Sequence, residues 1–353
     1  MADRNAWALI DGSVEARTVR HFSRLARARV PAEERGPIVS MMAAAVASAV
    51  GESIGHAPPP ALSPPMEEAA SAAAGLLATQ GLCRLGSILP SGEASDARHA
   101  LSQRPAYSGH TYGASDRVSR PLSEIASTSP FASYALGDVA RAPGLMALAN
   151  HPMVLRIAET FLGCPPTLYQ ASAFWSFAGR QRPADIGQRF HRDPDGSGAM
   201  KFCVLMVFLT DVDADDGAHQ FVTSSQSFAG VESRLSARNA RAAREHQVGI
   251  DELKRADGYG HDDLYRELFA DRIETVSGPA GYAFMGDFSA LHRGVPPLRR
   301  DRLVFWARYG LIDPGLTADV GPCEHEVMMR AVAPRDHRAL YVNRALLRPM
   351  SVV

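Results

Sequence analysis

No two cysteines in this chain stand close enough to form a CxxC pair: Cys83, Cys164, Cys203 and Cys323 are scattered over 353 residues. That spacing argues against a zinc ribbon and a disulfide scaffold, and it fits a reducing compartment. Long apolar runs are missing too. The longest soft stretch, residues 41–50, is about half of what a bilayer requires and reads as part of a buried helix. Charge of one sign is also lacking. Thirty-seven basic against 38 acidic side chains leave a formal net charge of −1, so the global basic footprint of a nucleic-acid binder is absent. The opening MADRNAWALIDG has no basic start followed by an apolar stretch, so no signal peptide is expected. The expectation is a soluble, cytoplasmic protein with no membrane or nucleic-acid partner. Neither G-x-G-x-x-G nor G-x-x-x-x-G-K-[ST] occurs, and βαβ alternation is missing, which weighs against Rossmann and P-loop folds.

What remains is ample core material: 46% apolar and 21% charged residues. At roughly 100–200 residues per domain, the length suggests about two domains, or one large β-rich domain with additions. Residues 1–130 read as helical and irregular. Ala-rich segments at 31–50 and 65–81 have helical spacing, and HAPPPALSPP (56–65) between them is a connector. Residues 91–129, rich in Ser, Pro, Gly and Asp, read as surface loop. GLMALANHPMVLRIAETFL (144–162) reads as one helix closed by Gly163, Pro165 and Pro166.

The texture then changes. TLYQASAFWSF (167–177) alternates like a strand, and MKFCVLMVFLT (200–210) is continuously apolar, like a strand buried on both faces. DVDADDG (211–217) is a turn, and residues 219–223 are a short strand. Residues 228–275 read as a polar helical insert. Strand texture returns at GYAFM (281–285) and RLVFWARYG (302–310). Short strands with long loops point to a β-sandwich or jelly roll with helices outside it.

Two H-x-[DE] triplets occur, His191-Arg192-Asp193 and His261-Asp262-Asp263. On an extended segment, side chains at i and i+2 project to the same face and can share a metal. Two imidazoles and one carboxylate form the facial triad of non-haem iron enzymes, with three metal positions left open. The first triplet lies between expected strands and runs into the turn PDGSG. The second lies in a stretch of helical spacing, where i and i+2 point apart by about 200°. His261 therefore reads as a helix N-terminal residue beside two first-turn acids. A second imidazole is offered by His292, which follows a strand and precedes a Gly-Pro turn. Arg302, ten residues on, heads the next strand and could clamp the distal carboxylate of a dicarboxylic co-substrate. For Arg299 and Arg300 the preferred reading is a solvated or ion-paired edge.

These segments resemble the phytanoyl-CoA dioxygenase-like family of iron(II)- and 2-oxoglutarate-dependent oxygenases. The resemblance rests, in order, on NHPMVLRIAETFLGCPP, FHRDPDG, KFCVLMVFLTDVDADDGAHQFVTSSQS and GYAFMGDFSALHRGVPPLRRDRLVFWARYG, covering roughly residues 145–310. It implies a double-stranded β-helix (jelly-roll, cupin-like) core over residues 131–353, with a helical N-terminal region, 1–130, packed on it and a helical insert at about 228–275. It implies His191, Asp193 and His292 as iron ligands and Arg302 as the 2-oxoglutarate clamp. Gln170 and Met206 fall where relatives place co-substrate contacts, although strand packing also explains Met206. The cofactors implied are Fe(II), 2-oxoglutarate and O2.

Two departures from the family pattern stand out. Thr223, Ser224, Ser225 and Gln226 replace a common P-G-S-H, and Gly294 replaces a hydroxyl residue two after the distal histidine. One co-substrate hydrogen bond is therefore missing or replaced. Asp193 is a small residue in halogenating relatives, so its retention here favours hydroxylation. The expected activity is oxidation of an unactivated C–H of a small, biosynthetic metabolite, with succinate and CO2 as co-products. The insert and residues 102–120 are expected to cover the pocket. Residues 1–130 are open to two roles, a buttress or a homodimer surface. Two alternatives stand beside it: a degenerate jelly roll that binds without turnover, and a metal phosphohydrolase using His261 and Asp262.

Overall fold

Cys203, Leu205 and Val207 point to one side of a strand, and Val204, Met206 and Phe208 to the other; all six are buried. Such a strand needs a layer on each face. The computed structural model, which describes residues 36–54, 61–180, 188–193, 201–226, 262–311, 320–334 and 336–347, supplies both.

In chain order the elements are α1 (Gly36–Ile54), α2 (Pro64–Gln80), β1 (Leu82–Ser87), α3 (Ser91–Ser102), β2 (Tyr107–Ser108), α4 (Leu122–Thr128), β3 (Phe131–Ser133), α5 (Leu136–Arg141), α6 (Leu145–Ala149), α7 (Pro152–Leu162) and β4 (Thr167–Ser176). Then come β5 (Lys201–Phe208), β6 (His219–Val222), α8 (Asp262–Leu268), β7 (Ile273–Val276), β8 (Tyr282–Gly286), β9 (His292–Gly294), β10 (Arg302–Leu311), α9 (His325–Val332) and α10 (His337–Leu347).

The strands form a seven-stranded antiparallel sheet, ordered β1-β8-β5-β10-β4-β3-β2, and a three-stranded antiparallel sheet, β7-β6-β9. The two sheets share an apolar core in which Val204, Met206, Phe208, Phe284, Val304 and Trp306 of the large sheet meet Phe221 and Val276 of the small one. This is a jelly-roll core. On the far face of the large sheet, Leu303, Phe305, Ala307 and Tyr309 join the helices in the main core. The outer face of the small sheet is covered by α8, through Tyr265 and Leu268, and by Phe269 just after it. Among the described residues, no helix is long and apolar enough to cross a membrane.

The structure corrects four local expectations. Residues 91–129 are not loop throughout: they hold α3, β2 and α4. Ala94, Ala97 and Leu101 recur at helical spacing and are buried, and the polar residues form the solvent face. Residues 144–162 form two helices instead of one. Pro152 has no N–H and clashes with a preceding turn, so it begins α7 instead of extending α6, and His151 caps α7 by accepting the Met153 N–H at 3.3 Å. The expected insert ends too late, because residues 273–276 are β7, paired with β6; residues 228–261 of that insert lie outside the described residues. Finally, residues before 131 are not only helical and irregular. They supply both edge strands of the large sheet, β1 on β8 and β2 on β3. Helix α7 ends as expected on Gly163 in the left-handed conformation, φ 80°.

Candidate metal centre

The H-x-D segment is tied to β9 and the turn before it by three backbone hydrogen bonds. His191 and His292 exchange N–H···O=C bonds, each 2.9 Å, and the Asp193 N–H donates to the Phe288 carbonyl at 2.9 Å. Two segments a hundred residues apart thereby become neighbours at the edge of the small sheet. Alternation sends Arg192 away from its flanking residues, and its guanidinium donates to the Ser289 carbonyl.

His191 Nδ1 lies 2.7 Å from the Arg189 carbonyl, and His292 Nδ1 lies 2.9 Å from the Ala290 carbonyl. A carbonyl only accepts, so each Nδ1 carries the proton and each Nε2 presents a lone pair. Both Nε2 atoms face Asp193 Oδ1, at 3.5 and 3.8 Å, and the ring centroids are 4.3 Å apart. The three ligand atoms lie within 4.8 Å of one another, and among the described residues this is the one group of three or more His, Cys, Asp or Glu so arranged. Phe288 and Phe221 wall the His292 ring at 4.3 and 5.6 Å.

Burial, with His191 beside it, pushes the His292 imidazole down to about 3 despite the opposing charge of Asp193. Burial alone would raise the Asp193 carboxyl. The Arg308 guanidinium outweighs that, with help from the two imidazoles, and holds it well below the usual carboxylate range. The centre therefore offers two imidazole nitrogens and one carboxylate, with Asp193 Oδ2 engaged by Arg308 Nη2.

The triad opens onto a cavity of about 680 Å³. Met206 and Trp306 line its interior, and residues of the 108–115 and 128–131 loops line its mouth. Arg302 reaches into it, 3% exposed. Arg302 Nη1 donates to the Gly217 carbonyl and Nη2 to Ser176 Oγ, the latter at 2.9 Å, whereas Nε has no partner. Burial lowers this guanidinium to about 10, so it is cationic at neutral pH. Among the described residues, no carboxylate lies within ion-pair distance of it. Gly217 is fitted to this packing: at φ +91°, its missing Cβ would stand 2.9 Å from Arg302 Cδ.

Met206 lines the cavity beside Trp306, its register partner on β10. Gln170, opposite Arg308 on β4, is buried but is not among the cavity-lining residues. Arg299 and Arg300 form the ion-paired edge expected of them, with Asp213 and Asp216. Asp262 opens the seven-residue α8, and His261 lies outside the described residues.

Sequence reasoning missed two residues that line the cavity, Arg308 and His219. For Arg308 a signal existed: it shares the period-2 face of Arg302, Val304 and Trp306. His219 could be found only from strand register, which sets it opposite Gly294.

No family model matches the chain, and no curated protein matches it. Solved structures do. The chain is similar to the non-haem α-ketoglutarate-dependent epimerase SnoN from nogalamycin biosynthesis, at 18% identity and a TM-score of 0.43, covering 69% of this chain and 81% of that one. It is also similar to HygX from Streptomyces hygroscopicus, solved with nickel and 2-oxoglutarate, at 15% identity, TM-score 0.44, covering 71% and 87%. EctD from S. alaskensis, solved with 2-oxoglutarate and 5-hydroxyectoine, matches at 15% identity, TM-score 0.43, covering 70% and 78%.

Proposed function

We propose that this chain is an iron(II)- and 2-oxoglutarate-dependent oxygenase that hydroxylates an unactivated C–H bond of a small metabolite. The observation that carries this reading is the convergence of two Nε2 lone pairs and one carboxylate oxygen, with both Nδ1 protons fixed on backbone carbonyls. That donor set suits a hard-to-borderline divalent metal held on one face, and carbonyl-fixed imidazoles are the usual outer-sphere support of such ligands. The co-substrate fits on separate grounds. Arg302 is a buried cation with no acid partner among the described residues and an unpartnered Nε, which is a costly arrangement unless an anion completes it.

Bound iron and 2-oxoglutarate would supply the oxidising chemistry, with O2 as oxidant and succinate and carbon dioxide as co-products. The chain's residues hold, orient and exclude. His191, Asp193 and His292 would hold the metal from one side, leaving the cavity side for ligands. Arg302 binds the distal carboxylate, and Met206 and Trp306 keep the interior apolar. The loop at 108–115 lines the mouth, which supports residues 102–120 as part of its cover. Retention of Asp193 supports hydroxylation over halogenation, and the resemblance of residues 145–310 to phytanoyl-CoA dioxygenase-like proteins supports the same class.

The test is an anaerobic titration of metal-free protein with iron(II) and then 2-oxoglutarate, following the visible charge-transfer band of the chelate. A band is expected in wild type, lost in Asp193→Ala and His292→Ala and weakened in Arg302→Ala. Absence of any band from folded wild-type protein overturns the proposal.

A further inference from the structure

We propose that His219 is the second donor to the distal carboxylate of the 2-oxo acid, working beside Arg302 in the place that Gly294 leaves without a side chain. The inference rests on the oxygenase reading above. His219 begins β6, directly opposite Gly294 of β9, which stands two residues beyond His292. Gly294 projects nothing toward the cavity, and the imidazole across the ladder lines that space. Two residues before His219, Gly217 accepts from Arg302, so the same short segment contacts the cation and carries the imidazole.

His219 is 5% exposed, wedged against Phe208 and Phe284 with centroids 6.3 and 5.4 Å away. Its Nδ1 is buried with no hydrogen-bond partner, as is Arg302 Nε. Four residues lining the cavity carry an unpartnered buried nitrogen: Gln188, His219, Arg302 and Arg308. Arg308 is already taken by Asp193, and the 217–219 segment joins His219 to Arg302, so an acceptor shared by these two would complete the pair. A carboxylate has two oxygens and matches two donors. Burial and the neighbouring Arg302 keep the imidazole neutral. It therefore adds a directional hydrogen bond without setting a second cation beside the first. The result is selectivity for a 2-oxo diacid over a 2-oxo monoacid.

The test compares two probes on iron(II)-loaded protein under anaerobic conditions: 2-oxoglutarate, and 2-oxobutyrate, which has the same chelating head and no distal carboxylate. His219→Phe keeps the ring and its packing and removes the donor; His219→Asn returns a donor near the Nδ1 position. The expected result is a dissociation constant for 2-oxoglutarate about 10- to 100-fold weaker in His219→Phe, the range for losing one hydrogen bond to a charged group. Binding of 2-oxobutyrate should be unchanged, and His219→Asn should recover most of the loss. Unchanged 2-oxoglutarate affinity in His219→Phe overturns the inference, as does an equal loss for both acids. Should His219→Phe not fold, His219→Leu, which also removes the donor, takes its place with the same expected loss for 2-oxoglutarate and the same overturning results. Wild type that binds neither acid removes the oxygenase reading itself, and the inference with it.

Discussion

Arg308→Met is the perturbation that best separates the electrostatics of the centre from its packing. Arg308 Nη2 donates to Asp193 Oδ2, while Oδ1 faces the two imidazole Nε2 atoms. The guanidinium lies 5.0 Å from the Trp306 ring and 5.6 Å from Phe202, contacts that a methionine stem largely keeps. At an effective dielectric of about 20, unit charges about 3 Å apart attract by roughly 5 kcal/mol before desolvation. Removing one partner of a fully buried pair typically costs about 3–5 kcal/mol. Here the side chains keep 21% and 15% exposure and the imidazoles still support Asp193, so the metal-free protein should lose about 2 kcal/mol. For 353 residues the unfolding entropy is roughly 0.7 kcal/mol per degree, so the melting temperature should fall by about 3 °C. A divalent metal then takes over the neutralisation of Asp193. The melting temperature should therefore rise more on adding manganese(II) to Arg308→Met than on adding it to wild type. In an Asp193→Asn background the same substitution should cost little, and that double-mutant cycle isolates the pair. An equal cost in both backgrounds, or a smaller metal-induced shift in the variant, would refute the reasoning.

Gly217→Ala forces a Cβ to 2.9 Å from Arg302 Cδ at a φ of +91°. It should destabilise the fold by about 1–3 kcal/mol and weaken 2-oxoglutarate binding, both readable in a melt and an anaerobic titration. A pH dependence follows from His219 and His292, both held neutral by burial. As pH falls below about 6.5, the unfolded chain takes up protons that the folded chain refuses, so stability falls with falling pH in that window. The loss is about 1.4 kcal/mol per histidine between roughly pH 7.5 and 5.5, or about 2.7 kcal/mol together. Urea midpoints of metal-free protein should show this drop, and His219→Phe should halve it.

The parts of the centre legible in the sequence are those fixed by local geometry. His191 and Asp193 share a face because i and i+2 do so on any extended segment, whatever lies across from it. The run at 201–208 reads as a twice-buried strand because Cys203, Leu205 and Val207 meet the helices while Val204, Met206 and Phe208 meet the small sheet. What escapes is whatever a partner strand decides. Strand β2 is two residues long and β1 carries the mixed pattern LCRLGS; each is a strand because an edge of the large sheet pairs with it. Arg302 and Arg308 show the same limit at the level of chemistry. Alternation puts both on the interior face of β10, and nothing in RLVFWAR distinguishes them. Arg308 donates to Asp193 and is neutralised, whereas Arg302 donates to a serine hydroxyl and a glycine carbonyl and meets no acid among the described residues. Among the described residues Arg302 is the cavity cation without an acid, and it is the one proposed to take a carboxylate from outside. That division of roles comes from β4 and the 217–219 segment, more than eighty residues away in the chain.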